Sequence, residues 1–322
     1  MSVAFDTRNQ PVTTDVHAFL APVQREGNMP AVFDASQVGG FDLTNPPAPW
    51  IGIGRVENFR RTAADETLSV QTGTESAVVA QFRKKLESHV SFDLRNWGKL
   101  QMALASGGTQ WNILEPGHDA EPAATGGVAV PAQPILAGST SSLLKIDPQC
   151  GSRFATGDIV AVDVDYMQQS GYVGLGAAAA YIAAGQDRHP QADFIRRVTF
   201  NVARIIDVNG GDLQLESALL GGDPPTSAAM QKIVGFADRE GGAFRQEWSA
   251  LFFEETVSGG RVCYYYPRLQ SVPPGSERKS AILGDFQAML LQAKLLALPV
   301  ADPQDGVAAL WYRIYVPSAC GA

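Results

Sequence analysis

Apolar residues at every second position recur along this chain, and no other feature limits its fold so strongly. In a strand successive side chains leave on opposite faces, so alternation of this kind marks a half-buried strand. In the run Asp158 to Tyr166, the residues Val160, Val162, Val164 and Tyr166 share one face while Asp163 and Asp165 take the other. Val90, Phe92 and Leu94 alternate with Ser91, Asp93 and Arg95, and Leu68 and Val70 with Ser69 and Gln71. Val198, Phe200 and Val202 repeat the pattern, and Leu213 and Leu215 do so after the turn Asn209-Gly210-Gly211. Toward the end come Phe244, Trp248 and Phe252, then Val262, Tyr264 and Tyr266. Last is Leu310, Tyr312, Ile314 and Val316 against Trp311, Arg313 and Tyr315. The chain is therefore expected to be mainly β with some α, as a sandwich or barrel with helices at one side.

Two segments carry the helical period instead. Trp97, Leu100 and Leu104 predict a short helix that Gly107-Gly108 ends. Ile282, Phe286, Met289, Leu290 and Ala293 predict a longer one over 277–297, stopped by Pro299. Proline at 11, 22, 30, 46, 47 and 49 marks residues 1–49 as an irregular arm, one that could reach a neighbouring subunit. Residues 115–140, with Pro116, Pro122, Pro131, Pro134 and Gly126-Gly127, read as a long loop. A further β-rich module follows over 150–222.

Charge and cysteine usage narrow the function. Of 322 residues 18% are charged, below the usual quarter or so, as suits a subunit that covers much of its surface with neighbours. The net charge of −8, with basic residues only in short clusters such as Arg60-Arg61, Arg83-Lys84-Lys85 and Arg196-Arg197, argues against nucleic-acid affinity. Cys150, Cys263 and Cys320 have no metal-ligand spacing, and an odd number cannot pair completely, which suits a reducing compartment. No signal peptide or membrane-spanning run is visible, so the protein is expected to stay in the cytoplasm in which it is made or to leave by a route that needs no signal.

Searches for chemistry return little. His17, His89, His118 and His189 lack second ligands at metal spacing. Gly52 and Gly54 lack the third glycine of a dinucleotide loop, Gly171, Gly174 and Gly176 have the wrong order, and there is no phosphate-loop lysine or serine-hydrolase elbow. Asp158, Asp163 and Asp165, or Asp302, Asp305 and Gly306, offer oxygen for calcium without the spaced loop that would specify it. Glu247, Glu254 and Glu255 could act as an acid/base pair if they converged. No active site, cofactor or metal is expected.

One stretch resembles a known family. The run Trp50-Ile51-Gly52-Ile53-Gly54-Arg55-Val56-Glu57-Asn58-Phe59, then Val70-Gln71-Thr72-Gly73, then Arg83 to Phe92 leading into the helix, is similar to the opening half of tailed-bacteriophage tail tube (major tail) proteins. The resemblance covers about residues 50 to 114 and extends to the expected helix and last strand, about 277 to 317. It implies a tube-like β-sandwich or barrel with a flanking helix, split between residues 50–149 and 223–322, with the 150–222 module inserted. It implies self-association into stacked, commonly hexameric rings in the virion tail, contact with other tail proteins, and passage of phage DNA without specific binding. Leu68, Ser69, Val70 and Gln71 with Val90, Ser91, Phe92 and Asp93 would be lumen strands. Thr74, Glu75, Ser76 and Ala77, in the loop that runs on to Ala80, would meet the next ring. Two rivals come from other classes. One is a glycan-binding or adhesin module that stacks sugars on Tyr264, Tyr265, Tyr266 and Trp311, and the other is a hydrolase using the three glutamates.

Overall fold

A computed structural model describes residues 12–23, 29–33, 46–47, 50–72, 77–94, 98–121, 127–164, 172–173, 177–178, 193–239, 245–256, 259–272, 277–283 and 286–316. The chain opens with three long strands, β1 (Val12–Pro22), β2 (Ile51–Thr72) and β3 (Ala77–Leu94), and the helix α1 (Lys99–Ser106). A run of shorter elements follows: β4 (Thr109–Leu114), β5 (Gln133–Pro134), β6 (Leu143–Lys145), a 3-10 turn (Pro148–Arg153), β7 (Ile159–Asp163), β8 (Tyr172–Val173) and β9 (Ala177–Ala178). Next come α2 (Phe194–Val198), β10 (Val202–Asn209), β11 (Asp212–Leu215) and β12 (Ala229–Arg239). The chain ends with β13 (Glu247–Thr256), β14 (Arg261–Ser271), β15 (Glu277–Leu283), β16 (Phe286–Ala297), β17 (Val300–Ala301), β18 (Ala308–Ala309) and β19 (Tyr312–Val316). The protein is mainly β with some α.

The first and last thirds of the sequence make one antiparallel sheet, ordered β15-β16-β3-β2-β1-β13-β14-β19. It curls back on itself, because Leu269–Ser271 of β14 also pair with Ala297–Leu295 of β16. The strands β16, β3, β2, β1, β13 and β14 thereby close into a barrel, which removes sheet edges along that stretch. Inward positions fill it: Val16, Ala18 and Leu20 of β1, Val90, Phe92 and Leu94 of β3, Trp248, Ala250 and Phe252 of β13, and Leu291, Ala293 and Leu295 of β16. On the outer face Phe33 and Trp50 cover Leu251, Phe253 and Tyr265. The strap at residues 29–33 is tied down by Ala31, whose N–H donates to Ser249 Oγ (2.9 Å) and whose carbonyl accepts from Tyr265 Oη (2.8 Å).

The middle third forms a second antiparallel sheet, β4-β12-β7-β10-β11-β6, with β5 on β12. It is wider than the 150–222 stretch, since it takes β4 and β12 from either side. Its core gathers Leu144, Ile146, Val160, Val162, Ile205, Leu213 and Met230. The hairpin β10–β11 turns on Gly210 (φ 59°) and Gly211, where a Cβ would run into the carbonyl oxygen of Ile146. Helix α1 ends at Gly107 in the left-handed region (φ 64°), whose N–H donates to Ala103 O at 2.9 Å. Trp97, read with that helix, lies outside the described residues.

Polar groups join the two sheets. Lys99, on α1 against the barrel, is buried and reaches the carbonyls at the end of α2. Phe194, Ile195, Val198 and Phe200 belong to the barrel's own core cluster, with the Phe200 ring 5.8 Å from that of Trp248.

Three expectations are corrected. Residues 1–49 are not all irregular: β1 lies between β2 and β13, because the alternation Val16, Ala18, Leu20 suits a strand paired on both sides. The helix expected over 277–297 is the hairpin β15–β16. Leu291, Ala293, Leu295 and Ala297 face inward while Lys294 is exposed, and two flanking ladders outweigh the helix preference of Ala, Leu, Gln and Lys. The face of β7 carrying Asp163 is not solvated. Asp163 is buried and accepts from Thr199 Oγ1 at 2.8 Å, since β7 is covered on both sides. Asp165 lies outside the described residues.

Candidate functional site

The most unusual surface is the far half of the β2–β3 hairpin. Pairing with β1 holds β2 only over Ile51–Val56, and pairing with β16 holds β3 only over His89–Leu94. Beyond those points, among the described residues, β2 and β3 pair with each other alone as far as Thr72↔Ala77, a two-stranded ribbon roughly 35 Å long at strand rise. Cross-strand pairs Leu68↔Phe82 and Val70↔Ala80 put four apolar side chains on one face. Phe82 is 60% exposed and Leu68 58%. A bulge between Val70 and Gln71 gives β3 the extra residue Val79, which is exposed as well.

Charges near the ribbon's base pair locally. Arg83 Nε lies 3.1 Å from Asp65 Oδ2, Lys84 Nζ 2.7 Å from Glu66 Oε1, and Lys85 Nζ 2.5 Å from Glu87 Oε1. The Lys85 contact holds the Glu87 carboxyl below its ordinary value, and Glu87 raises the Lys85 amine. Such exposed pairs add little to stability. They keep the ribbon's flanks hydrophilic while the apolar face stays uncovered, and an isolated two-stranded hairpin is marginal in water.

The residues expected to line one wall fall into two settings. Leu68 and Val70 stand in solvent on the ribbon. Val90 and Phe92 are fully buried inside the barrel, because β3 turns that face onto the β13 and β16 side chains. Ser91 points the other way and is half-buried. Asp93, also buried, accepts from Asn58 Nδ2 (2.7 Å) and Gln292 Nε2 (3.1 Å), and Asn58 has a positive φ of 50° at an irregularity in β2. Ala77 opens β3, while Thr74, Glu75 and Ser76 lie outside the described residues, as do the side chains of Gln71 and Ala77.

Where the ribbon leaves the barrel, Arg61 of β2 is clamped. Its guanidinium carbon lies 4.0 Å from the Tyr264 ring centroid and 4.1 Å from that of Trp311, and its Nε donates to Tyr266 Oη at 2.7 Å. The pattern of single residues gave no sign of this clamp, since its members come from β2, β14 and the residue just before β19. Arg61→Ala is expected to cost about 1–2 kcal/mol in urea unfolding, through the lost ring contacts and the lost hydrogen bond to Tyr266. Arg61→Lys should recover little of it, because an ammonium cannot stack flat between two rings.

The aromatics weighed for sugar stacking are thus engaged: Tyr265 and Tyr266 are buried, and Tyr264 and Trp311 hold Arg61. The three glutamates do not converge. Glu247 and Glu254 sit seven residues apart on β13, about 20 Å at strand rise, and Glu255 points to the face opposite Glu254. Glu247 accepts from Arg268 Nε at 2.6 Å. Burial raises the Glu254 carboxyl despite the nearby Arg61.

Among the described residues no group of three or more His, Cys, Asp or Glu is placed to hold a metal ion. Asp158 pairs with Lys232 (2.9 Å). Asp302 and Asp305 cap their own turn, accepting from the N–H groups of Gln304 and Val307 at 2.8 Å, with Gly306 at φ 73°. Asp302 also accepts from Tyr312 Oη at 2.6 Å. Burial and that carboxylate push the Tyr312 phenol up to about 12. A phenol raised in the folded state stabilises the fold fully below its ordinary value of 10.0 and loses that contribution as pH climbs toward 12. An absorbance titration should show Tyr312 ionising late, and Asp302→Ala should bring it earlier.

His17 is exposed, His89 is half-buried on β3, and His118 sits 3.0 Å from Asp119 in solvent. His189 and Cys320 lie outside the described residues. Cys263 is buried in an apolar cluster that raises its thiol, and Cys150 packs beside the second sheet's core. No described helix is long and apolar enough to cross a membrane. The sequence matches no family model and no curated protein.

Proposed function

We propose that this chain is a structural subunit of a phage-type tail tube, or of a closely related virion part, and that it works by joining copies of itself into rings that stack into a conduit. The observation that carries this reading is the β2–β3 ribbon, with Leu68, Val70 and Phe82 exposed on a face that no other described strand covers. Among the described residues both its edges are unpaired beyond Val56 and His89, and open edges are where one chain adds its strands to another. Neighbours that pair head to tail by a rotation close into a ring, and the ribbons would then share one continuous wall. A net charge of −8 suits a wall past which DNA slides without adhering. Hexameric closure, contact with other tail proteins and residence in the virion tail belong to the same proposal. Negative-stain microscopy of the purified chain tests it. Rings or stacked rings with an open centre are expected, and a chain that stays a compact monomer at high concentration would remove the reading.

A further inference from the structure

In the joint between the two sheets, at the end of α2, an amine and a primary amide share one acceptor away from water. Lys99 is 4% exposed and Asn112, on β4, is 0% exposed. Lys99 Nζ donates to Val198 O (2.7 Å) and Thr199 O (2.5 Å). Asn112 Nδ2 donates to Arg196 O (2.6 Å) and to the same Thr199 O (3.0 Å). Two nitrogens on one oxygen stand no more than two hydrogen-bond lengths apart. The Phe200 ring, its centroid 4.7 Å from Nζ, walls the site. Asn112 Oδ1 is buried and has no hydrogen-bond partner among the described residues, so the amide carbonyl is left open toward its surroundings.

We propose that Lys99 and Asn112 become joined by an amide bond that the folded chain makes by itself. The lone pair of Lys99 Nζ adds to Asn112 Cγ, the Cγ–Nδ2 bond breaks, and Nδ2 takes one Nζ proton and leaves as ammonia. Nothing is oxidised or reduced, and no co-reactant enters. Two features favour it. Burial alone pushes the amine well below its ordinary value, which supplies the neutral nucleophile that a solvated lysine lacks. The fold also holds both groups on one carbonyl, so the reaction is intramolecular and the dry site keeps water from competing. The product ties α1, on the barrel, to β4 of the second sheet, which suits a subunit that must not come apart at its joint.

Mass spectrometry of the purified full chain decides the matter. The expected intact mass is one ammonia lighter than the sequence requires. Trypsin should then fail to cut after Lys99 and leave residues 96–145 as one peptide, lighter by the same amount and resistant to hydroxylamine. Lys99→Met and Asn112→Ala should each restore the full mass for the residues present. An unmodified intact mass in protein aged at neutral pH overturns the proposal. So does a light mass with normal cleavage after Lys99, which would mark ring closure of an asparagine onto its own backbone.

Discussion

Leu68→Asp combined with Phe82→Asp should leave the chain folded and abolish its self-association. The two side chains face each other across the ribbon and are 58% and 60% exposed, so the single chain loses only their cross-strand contact, on the order of 1 kcal/mol or less. In a ring the same side chains would sit in the covered middle of an interface. Central aromatic and aliphatic anchors there cost roughly 2 kcal/mol or more each when lost, and a carboxylate must also be desolvated. Two such losses weaken each contact by about a thousandfold or more. A closed ring multiplies that penalty by every interface it contains. Sedimentation velocity with circular dichroism separates the effects: an unchanged spectrum with only monomer is expected, and persistent large species would show that the ribbon's apolar face is not where copies meet.

The sequence was legible where a strand faces one core and one solvent. Val90 and Phe92, and Leu213 and Leu215, alternate and are buried as the period requires. Gly107 and the Asn209-Gly210-Gly211 turn were legible too, because glycine answers a local backbone need. Long-range pairing was not. The segment Phe286–Ala297 is rich in Leu and Ala, and the hairpin to β15 with the ladders to β3 and β14, almost two hundred and about thirty residues away in sequence, makes it a strand. The strand β1 hid behind its prolines, which lie at the margins of the strand and not inside it. For the candidate interface, Leu68 and Val70 gave the right period but no sign that their apolar face would be uncovered. That depends on β1 and β16 ending their pairing short of it. Lys99 reads as one more helical lysine, since its burial is set by α2 some hundred residues later.

Trp248→Ala should cost about 3–5 kcal/mol, a large share of what holds a typical domain together. The indole is fully buried on β13, donates from Nε1 to Gln246 Oε1 at 3.3 Å, and packs toward Phe200 just after α2. Removing it leaves a cavity at the place where barrel and second sheet share their apolar contacts, and rigid β ladders on either side cannot collapse into it. The consequence is a statement about cooperativity. If the shared cluster makes the two sheets one folding unit, urea unfolding of the variant remains a single transition, and probes in each sheet shift to the same lower midpoint. Hydrogen exchange supplies those probes, with Phe92 reporting on the barrel and Leu213 on the second sheet. A variant in which only the barrel amides lose protection, while Leu213 stays as protected as before, would mean that the sheets fold independently and that Phe200 and α2 lean on the barrel without depending on it.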